Sequence, residues 1–211
     1  MAFGYVRPAR LDDVGEIARI QLTTWRVAYR RLLPRQVLDQ LDEDWVTSQW
    51  REAVANPPTH KHRVFVAVEQ PENPGVATAG QRPPAYLVGF AAAGPADAAA
   101  LAPDEDHTAL GTDVAAITDL LVEPRWGRRG HGSRLLAACV DSWRSDGFRT
   151  AVAWAFAEDA VTRRFLSDSG WDTDGTHRAL DVDDMLVPQV RLHVSLADVP
   201  ETSEPPTVTV M

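Results

Sequence analysis

The sequence predicts a single domain of the mixed α/β class, in which helices cover both faces of one sheet. Segments that alternate with period two, or that run as short apolar stretches, are typical of strands. Apolar residues at three- and four-residue steps are typical of helices. Strands follow one another directly in the first half of the chain and alternate with helices in the second half, an order that favours a mixed sheet. The 211 residues suffice for one buried core.

The first half is predicted to pair strands as hairpins after two helical regions. The Asp13–Glu16 spacing is typical of a capping box that begins the first helix, and Pro34 interrupts that helix. The Pro- and Gly-rich segment 70–84 is predicted to be a mobile hairpin connection. In chain order, the predicted elements are a strand at 4–10, a helix from Asp12 or Asp13 to Pro34, a helical stretch at 35–55, and strands at 62–69 and 85–94.

The second half is predicted to alternate strands with helices. Segment 95–113 combines small and acidic residues without a sustained period, so we expect an irregular loop that faces solvent. The predicted elements are a buried strand at 115–124, a helix that opens at Gly132, a strand at 150–156, a helix at 158–170 and a final strand at 190–196. The domain is expected to span 1–196, since the tail 197–211 has too little apolar surface to order and is predicted to be disordered.

Composition excludes several classes of function. The net charge of −9 argues against a sequence-independent nucleic-acid binder, which needs a basic face. No apolar run approaches the roughly 18 residues of a membrane helix, so no membrane role is expected. The chain starts without the pattern of a signal peptide and has a lone cysteine, Cys139, which predicts a reducing, cytoplasmic location. The histidines lack metal-ligand spacing, and no metal site is expected.

The strand, turn and helix of residues 117–136 give the densest functional signal. Glycines at 130 and 132 allow a ligand to approach the backbone closely, and the first turn of a helix offers unpaired N–H groups at the positive end of its dipole. This arrangement predicts an anion site, although the same glycines could simply form a tight turn. The residues expected to bind a diphosphate, through backbone amides and two arginine side chains, are Arg128, Arg129, Gly130, His131, Gly132 and Ser133.

Two other phosphate motifs match the turn less well. A P-loop requires a lysine directly after its second glycine, and neither Gly130 nor Gly132 is followed by one. A dinucleotide fingerprint requires a third glycine where Leu135 stands. A nucleotide-binding enzyme therefore remains only a weaker alternative.

Three segments in order resemble the family of GCN5-related N-acetyltransferases (GNAT). LLVEPRWGRRGHGSRLL (120–136) is similar to the acetyl-CoA diphosphate motif, a strand ending in Val-x-Pro followed by Arg/Gln-x-x-Gly-x-Gly/Ala. AEDAVTRRFLSDSGW (157–171) resembles the later Asn-x-x-Ala-x-x-Phe-Tyr helix, which ends in glycine and an aromatic residue. TTWRVAYRRLLP (23–34) resembles the first-helix region of a bacterial branch. Three ordered matches are more specific than any one motif.

The resemblance implies a mostly antiparallel sheet of about seven strands, splayed at its centre between strands 115–123 and 150–156. Acetyl-CoA would lie in this splay as the cosubstrate. The backbone around Leu121 and Val122 would hold the pantetheine arm and, at a bulge, direct an N–H at the thioester oxygen. The implied reaction is direct transfer of the acetyl group to a primary amine of a small molecule, amino acid or peptide, with both substrates bound together.

Other site residues follow from the same resemblance. The first helix would border the acceptor pocket, so Trp25 and Tyr29 are expected to shape it, unless they are simply core residues. Asp119 is the carboxylate on the strand that often carries a glutamate in the family, and we expect it to bind the amine or take its proton. A hydrogen bond at the strand end is its alternative role, and Asp113 is a weaker candidate for the base.

Three positions depart from the family pattern. Gly127 stands where Arg or Gln begins the loop motif, Asp159 stands where Asn is usual, and Leu166 replaces the tyrosine that commonly protonates the leaving thiolate. Asp159 is expected to contact the cofactor, but its carboxylate is unfavourable near a polyanion. Ser167, Ser169 or water could replace the missing hydroxyl. Leu166 also supports an alternative function, a catalytically impaired acyl-CoA-binding or regulatory protein. The apolar final strand could support a homodimer.

Overall fold

A computed structural model describes residues 3–70, 85–106 and 111–197 of the chain. Helices and strands are labelled here in chain order, and short 3₁₀ turns are left unlabelled. The bounds are β1 Phe3–Pro8, α1 Val14–Ala28, α2 Arg35–Asp39, α3 Glu43–Ala55, β2 Arg63–Gln70, β3 Tyr86–Pro95, β4 Val114–Val122, α4 His131–Ser145, β5 Thr150–Phe156, α5 Ala160–Asp168, β6 Asp172–Val182 and β7 Met185–Ser195.

The strands of the described residues form one seven-stranded sheet in the order β1-β2-β3-β4-β5-β7-β6. Five of the six neighbouring pairs are antiparallel, and only β4 and β5 run parallel. The parallel pair follows from the connection, because α4 carries the chain from the end of β4 back to the start of β5. The predicted mixed, mostly antiparallel sheet of about seven strands is confirmed.

Helices cover both faces of the sheet, as the sequence predicts. On one face, α1 and α3 bury a cluster with β2 and β3, which includes Ile17, Ile20, Trp50, Val66 and Phe90. On the opposite face, α4 and α5 bury a second cluster, which includes Leu135, Trp143, Leu166, Ala67 and Ala153. The strands of the centre are therefore apolar on both sides, which explains why β2, β3 and β5 have nearly continuous apolar sequences.

The predicted capping box at the start of α1 is wrong. The Asp13 carboxylate accepts a hydrogen bond from the Arg10 backbone N–H at 2.7 Å and pairs with the Arg7 guanidinium at 2.7 Å. Glu16 instead pairs with Arg19 one turn later. Because Asp13 and Glu16 each pair with an arginine instead of the helix N-terminus, α1 begins without a side-chain cap.

The first helical regions are also shorter than predicted. α1 ends at Ala28, before Pro34, and the stretch 35–55 divides into α2 and α3. Asp42 begins the second of these helices, since its side chain accepts hydrogen bonds from the N–H groups of Asp44 and Trp45.

Segment 95–113 is only partly the exposed loop that the sequence predicts. Ala100, Leu101 and Ala102 are buried, and Asp97 caps a short 3₁₀ turn over Ala98–Ala100. Residues 107–110 of this segment, 71–84 of the predicted hairpin connection and 198–211 of the predicted tail lie outside the described residues. Among the described helices, none is long and apolar enough to cross a membrane.

Candidate active site

The sheet splits at its centre, between β4 and β5. The two strands pair in parallel only from Val114 with Thr150 to Ile117 with Ala153. Beyond these pairs, residues 118–122 and 154–156 separate, and the β5-facing backbone edge of β4 has no strand partner there among the described residues. β4 also carries one extra residue at Thr118, since Ile117 and Asp119 oppose consecutive residues of β3. The splay that the family resemblance implies is present.

A loop of unpaired N–H groups adjoins this gap at the start of α4. Within the described chain, the backbone N–H groups of residues 128–133 have no hydrogen-bond acceptor. Arg128 and Gly130 adopt left-handed conformations, with φ of 63° and 77°. Alternation of ordinary and left-handed residues turns successive N–H groups toward one concave surface, and the helix dipole adds positive potential there. This surface can bind an anion such as a diphosphate.

A buried carboxylate holds the loop from beneath. Glu69 at the end of β2 is 5% exposed and accepts hydrogen bonds from Arg129 at 2.8 Å and from the His131 Nε2–H at 2.6 Å. Arg134 donates to His131 Nδ1 at 3.1 Å and to the Arg129 carbonyl at 3.0 Å. The imidazole of His131 is thus fixed as the Nε2–H tautomer inside the protein, and only its backbone N–H faces the loop.

The two arginines of the motif therefore differ in role. From the sequence we expect both arginine side chains to contribute positive charge to the ligand site. The Arg129 guanidinium is instead paired with Glu69 and lies 4.9 Å from the centre of the Trp126 ring. Arg128 is exposed and has no ion-pair partner among the described residues, so its side chain is available to an anion. Gly132 is close to α5, since a Cβ there would lie 3.4 Å from the Phe165 ring.

The residues expected to hold the pantetheine arm line the gap through their backbone. Leu121 is buried in the cluster under α1, while Val122 packs toward α4, as alternation along β4 requires. Their side chains belong to the core. The unpaired backbone edge of β4 is what these residues offer to a ligand.

Asp119 lies on the same side of β4 as Leu121, facing the α1 side of the sheet. Burial among apolar neighbours raises the pKa of this carboxyl to about 6, and a hydrogen bond with Thr118 partly opposes that shift. A carboxylate with a pKa just below neutral can accept a proton from an ammonium or a bridging water. Asp113, the weaker candidate, is exposed at the far end of β4.

Tyr29 reaches the gap from the end of α1. Its ring makes an edge contact with Phe156, the last residue of β5, with 5.1 Å between ring centres. Burial and the charges of Asp159 and Asp119 all raise the pKa of Tyr29, so its hydroxyl remains protonated at neutral pH. Trp25 lies one turn earlier, 6.3 Å from Tyr29, and packs against the cluster between α1 and α3. Tyr29 is the nearer of the two to the gap.

The Asp159 carboxylate and the Ser169 hydroxyl both form hydrogen bonds within the α5 region. The Asp159 carboxylate caps α5, since it accepts hydrogen bonds from the N–H groups of Val161 and Thr162 and from the Thr162 hydroxyl. Leu166 is 4% exposed and lies in the core. The Ser169 hydroxyl donates to the Phe165 carbonyl at 2.8 Å, and Ser167 is exposed. The leucine at position 166 therefore offers no hydroxyl that could protonate a thiolate.

Sequence reasoning missed one wall of the site. Trp154 of β5 donates from Nε1 to the Ala100 carbonyl at 3.1 Å, and Arg178 of β6 lies 4.2 Å from the centre of its ring. At the tip of the β6–β7 hairpin, Asp183 accepts a hydrogen bond from Gln36 of α2. The wall therefore joins β5, the hairpin and segment 96–106. A tryptophan among alanines and valines in 150–156 was the available signal for it.

Comparison with known proteins agrees with this architecture. The model of the acetyltransferase (GNAT) family matches residues 25–171. The uncharacterised N-acetyltransferase YuaI of Bacillus subtilis is 24% identical over 154 residues, which cover 73% of this chain and 72% of that protein.

Solved structures share the fold at low sequence identity. An N-acetyltransferase from Staphylococcus aureus is 15% identical, with a TM-score of 0.61 and coverage of 92% of this chain and 99% of that one. The PaiA N-acetyltransferase from Thermoplasma acidophilum, solved with coenzyme A, is 10% identical, with a TM-score of 0.57 and coverage of 92% and 99%.

Proposed function

The chain belongs to the GNAT acetyltransferase family, and from this premise we propose that it transfers an acetyl group from acetyl-CoA to a primary amine. The acceptor is the amine of a small molecule, amino acid or peptide. The observation that carries this proposal is the loop of unpaired N–H groups at the start of α4, placed next to the gap between β4 and β5. One surface binds an anion, and the gap beside it accommodates an extended chain.

The residues present fit acetyl-CoA as the donor. The N–H groups of residues 128–133 hold the diphosphate, and the exposed Arg128 side chain adds a positive charge. The amides of the pantetheine arm pair with the free backbone edge of β4 around Leu121 and Val122, as a neighbouring strand would. When bound, the thioester supplies an activated acetyl group at the inner end of the gap.

Backbone groups and Asp119 act on the reacting atoms. An N–H of β4 near the bulge at Thr118 faces the thioester oxygen and stabilises the negative charge that develops there, an interaction that contributes about 2.7–4 kcal/mol in comparable sites. Asp119 takes the proton of the acceptor ammonium, directly or through water. Tyr29 keeps its proton and offers a hydrogen-bond donor on the same side of the sheet.

Transfer is direct, because donor and acceptor approach the reacting centre from different sides. The donor enters from the α4 loop, whereas Asp119 and Tyr29 face the α1 side of the sheet. Holding both substrates in contact supplies much of the acceleration. The departing thiol has an ordinary pKa of about 8.5 and leaves without full protonation, so the absence of a tyrosine at Leu166 slows the reaction without preventing it.

The burial of Leu166 favours a second candidate, a protein that binds acetyl-CoA without turnover. One experiment separates the two. The protein is incubated with acetyl-CoA and a panel of amines while free thiol is measured, and binding of acetyl-CoA is measured by calorimetry. Thiol release that depends on an amine supports the transferase. Binding without thiol release for any amine supports the second candidate, and absence of binding contradicts both.

A further inference from the structure

A half-buried guanidinium without a carboxylate partner lies in the wall of the acceptor side. The Arg178 Nε–H donates to the Gln189 amide oxygen at 2.7 Å, and its Nη1–H donates to the Ala99 carbonyl at 2.6 Å. Both partners are neutral. No carboxylate of the described residues is within ion-pair distance of Arg178, and its Nη2 has no acceptor among them.

The neighbouring arginine shows how this chain ordinarily compensates such a charge. Arg191 of β7 is 6% exposed and binds both oxygens of Glu105, at 2.6 and 2.7 Å, and Asp174 at 2.6 Å. Two carboxylates therefore pair with the charge of Arg191. Burial and the nearby charge of Arg191 lower the pKa of Arg178. No carboxylate of the described residues compensates the charge of Arg178, in a protein whose net charge is −9.

The sheet register connects Arg178 to the gap. Arg178 is directly opposite Gln189, and Gln189 is directly opposite Phe156, so the three side chains form one row across β6, β7 and β5 on the same face. Phe156 contacts Tyr29, whose hydroxyl senses the charge of Asp119. The guanidinium thus lies at one end of a row of side chains whose other end, Phe156, contacts Tyr29 beside the gap.

We propose that Arg178 binds a carboxylate of the acceptor, so that the acceptor is an amine that also carries a carboxylate, such as an amino acid or a short peptide. This inference rests on the proposed acetyl transfer. The ring of Trp154 covers one face of the guanidinium and leaves Nη2 to meet a planar carboxylate in its own plane. A single guanidinium, with one Nη group left to donate, suits a monoanionic carboxylate better than a phosphate dianion.

The test compares acceptors that differ only in this group. Amino acids and short peptides are each paired with their C-terminal carboxamides, and kcat/KM is measured for both, per concentration of free-base amine. The wild-type protein is expected to prefer at least one carboxylate over its carboxamide by roughly 10- to 100-fold, the range for a charged hydrogen bond. Arg178→Gln should reduce that ratio to near one, while Arg178→Lys should retain part of it. Arg51→Gln, a change of an exposed arginine on α3, serves as the matched control and should leave the ratio unchanged.

Three results would overturn the inference, and each differs from failure of the proposed function. If wild-type protein acetylates amines but no pair shows a carboxylate preference, or if the preference persists in Arg178→Gln, the transferase stands and the carboxylate site does not exist. If no amine releases thiol, the proposed function fails instead. Calorimetric binding of N-acetyl amino acids and their carboxamides to the CoA-loaded protein then decides the carboxylate site independently. Equal affinities there would also overturn it.

Discussion

At the scale of single residues, the proposed reaction depends on a carboxylate that the fold makes costly to ionise. Asp119 lies on a strand whose neighbours are apolar, and burial raises its pKa to about 6. Ionising a carboxyl on such a strand costs folding free energy at neutral pH, and a strongly raised pKa makes the group a candidate functional residue.

The first prediction concerns the pH dependence of activity. Asp119 accepts a proton only when it is ionised, so kcat/KM of the wild-type protein should fall as pH decreases, with a midpoint near 6. Asp119→Asn should lower kcat/KM by about 10²-fold or more and remove this acid limb. Persistence of the same limb in the variant would assign the base to another group. Asp113→Asn, at the exposed start of β4, is the matched control.

The stability of the Asp119→Asn variant provides a second readout, because the substitution should raise stability while it lowers activity. Because the folded-state pKa exceeds the unfolded one, ionisation of Asp119 destabilises the folded state above about pH 6, and this cost disappears below about pH 4. Asp119→Asn should therefore have a higher Tm than the wild type at pH 7.5 but not at pH 4. A variant that is both inactive and more stable cannot owe its inactivity to unfolding.

At the scale of elements, α4 and α5 both begin near the gap but differ in how their first N–H groups are satisfied. Asp159 caps α5, whereas α4 begins at Gly130 without a side-chain cap. The first turn of α4 is therefore free for a ligand and the first turn of α5 is not. The Asp159 carboxylate is close enough to the gap to affect Tyr29, and we expect it to repel a polyanionic donor.

The second prediction separates the cap of Asp159 from its charge. Asp159→Asn keeps a comparable helix cap and removes the negative charge, so Kd for acetyl-CoA should decrease about 2- to 10-fold at low salt, with little change in Tm. Asp159→Ala should lose the cap and destabilise the protein by about 1 kcal/mol. Weaker binding by the Asn variant in calorimetry would mean instead that the carboxylate accepts hydrogen bonds from the ligand.

The sequence predicted elements better than their ends. Strong periodicity located β2, β3, β4 and β5 and their helices to within a few residues, because those elements are buried and strongly patterned. The predicted ends are wrong where local side-chain interactions set them. Arg7 pairs with the Asp13 carboxylate, which therefore does not cap α1, and Asp42 caps a new helix inside 35–55. The polar edge strand β6 carries little apolar signal and was not located.

At the scale of the whole molecule, the site joins strands that are far apart in sequence. The turn at 126–133 and Asp119 could be proposed from the sequence because a local motif and a single strand contain them. Trp154, Arg178 and Arg191 could not, because their shared face depends on the register of β5, β7 and β6. Arg191 connects three parts of the chain, β7, Asp174 of β6 and Glu105 of segment 96–106.

The third prediction concerns this connection. Arg191→Met removes one member of a mostly buried ion-pair network and leaves its carboxylates unpaired, so the protein should lose about 2–4 kcal/mol of stability and roughly 5–15 °C in Tm. Arg164→Met, which breaks only the exposed pair with Asp168, should cost less than about 0.5 kcal/mol. Equal Tm values for the two variants would contradict a structural role for Arg191.

The loss of stability in Arg191→Met should depend on pH in a defined direction. Arg191 lowers the pKa of Glu105 and contributes to the lowered pKa of Asp174. A lowered folded-state pKa stabilises the protein above the unfolded pKa of about 4 and loses that effect as pH falls further. The difference in Tm between wild type and Arg191→Met should therefore be larger at pH 7 than at pH 3.

A crystal structure of the protein with coenzyme A would show directly whether the α4 loop and the gap between β4 and β5 bind the donor. We expect the diphosphate to contact the N–H groups of residues 128–133 and the pantetheine arm to run along the unpaired edge of β4, between residues 118–122 and 154–156. The sulfur should end on the side of Asp119 and Tyr29. A diphosphate bound elsewhere, with β4 and β5 closed over the gap, would contradict this expectation.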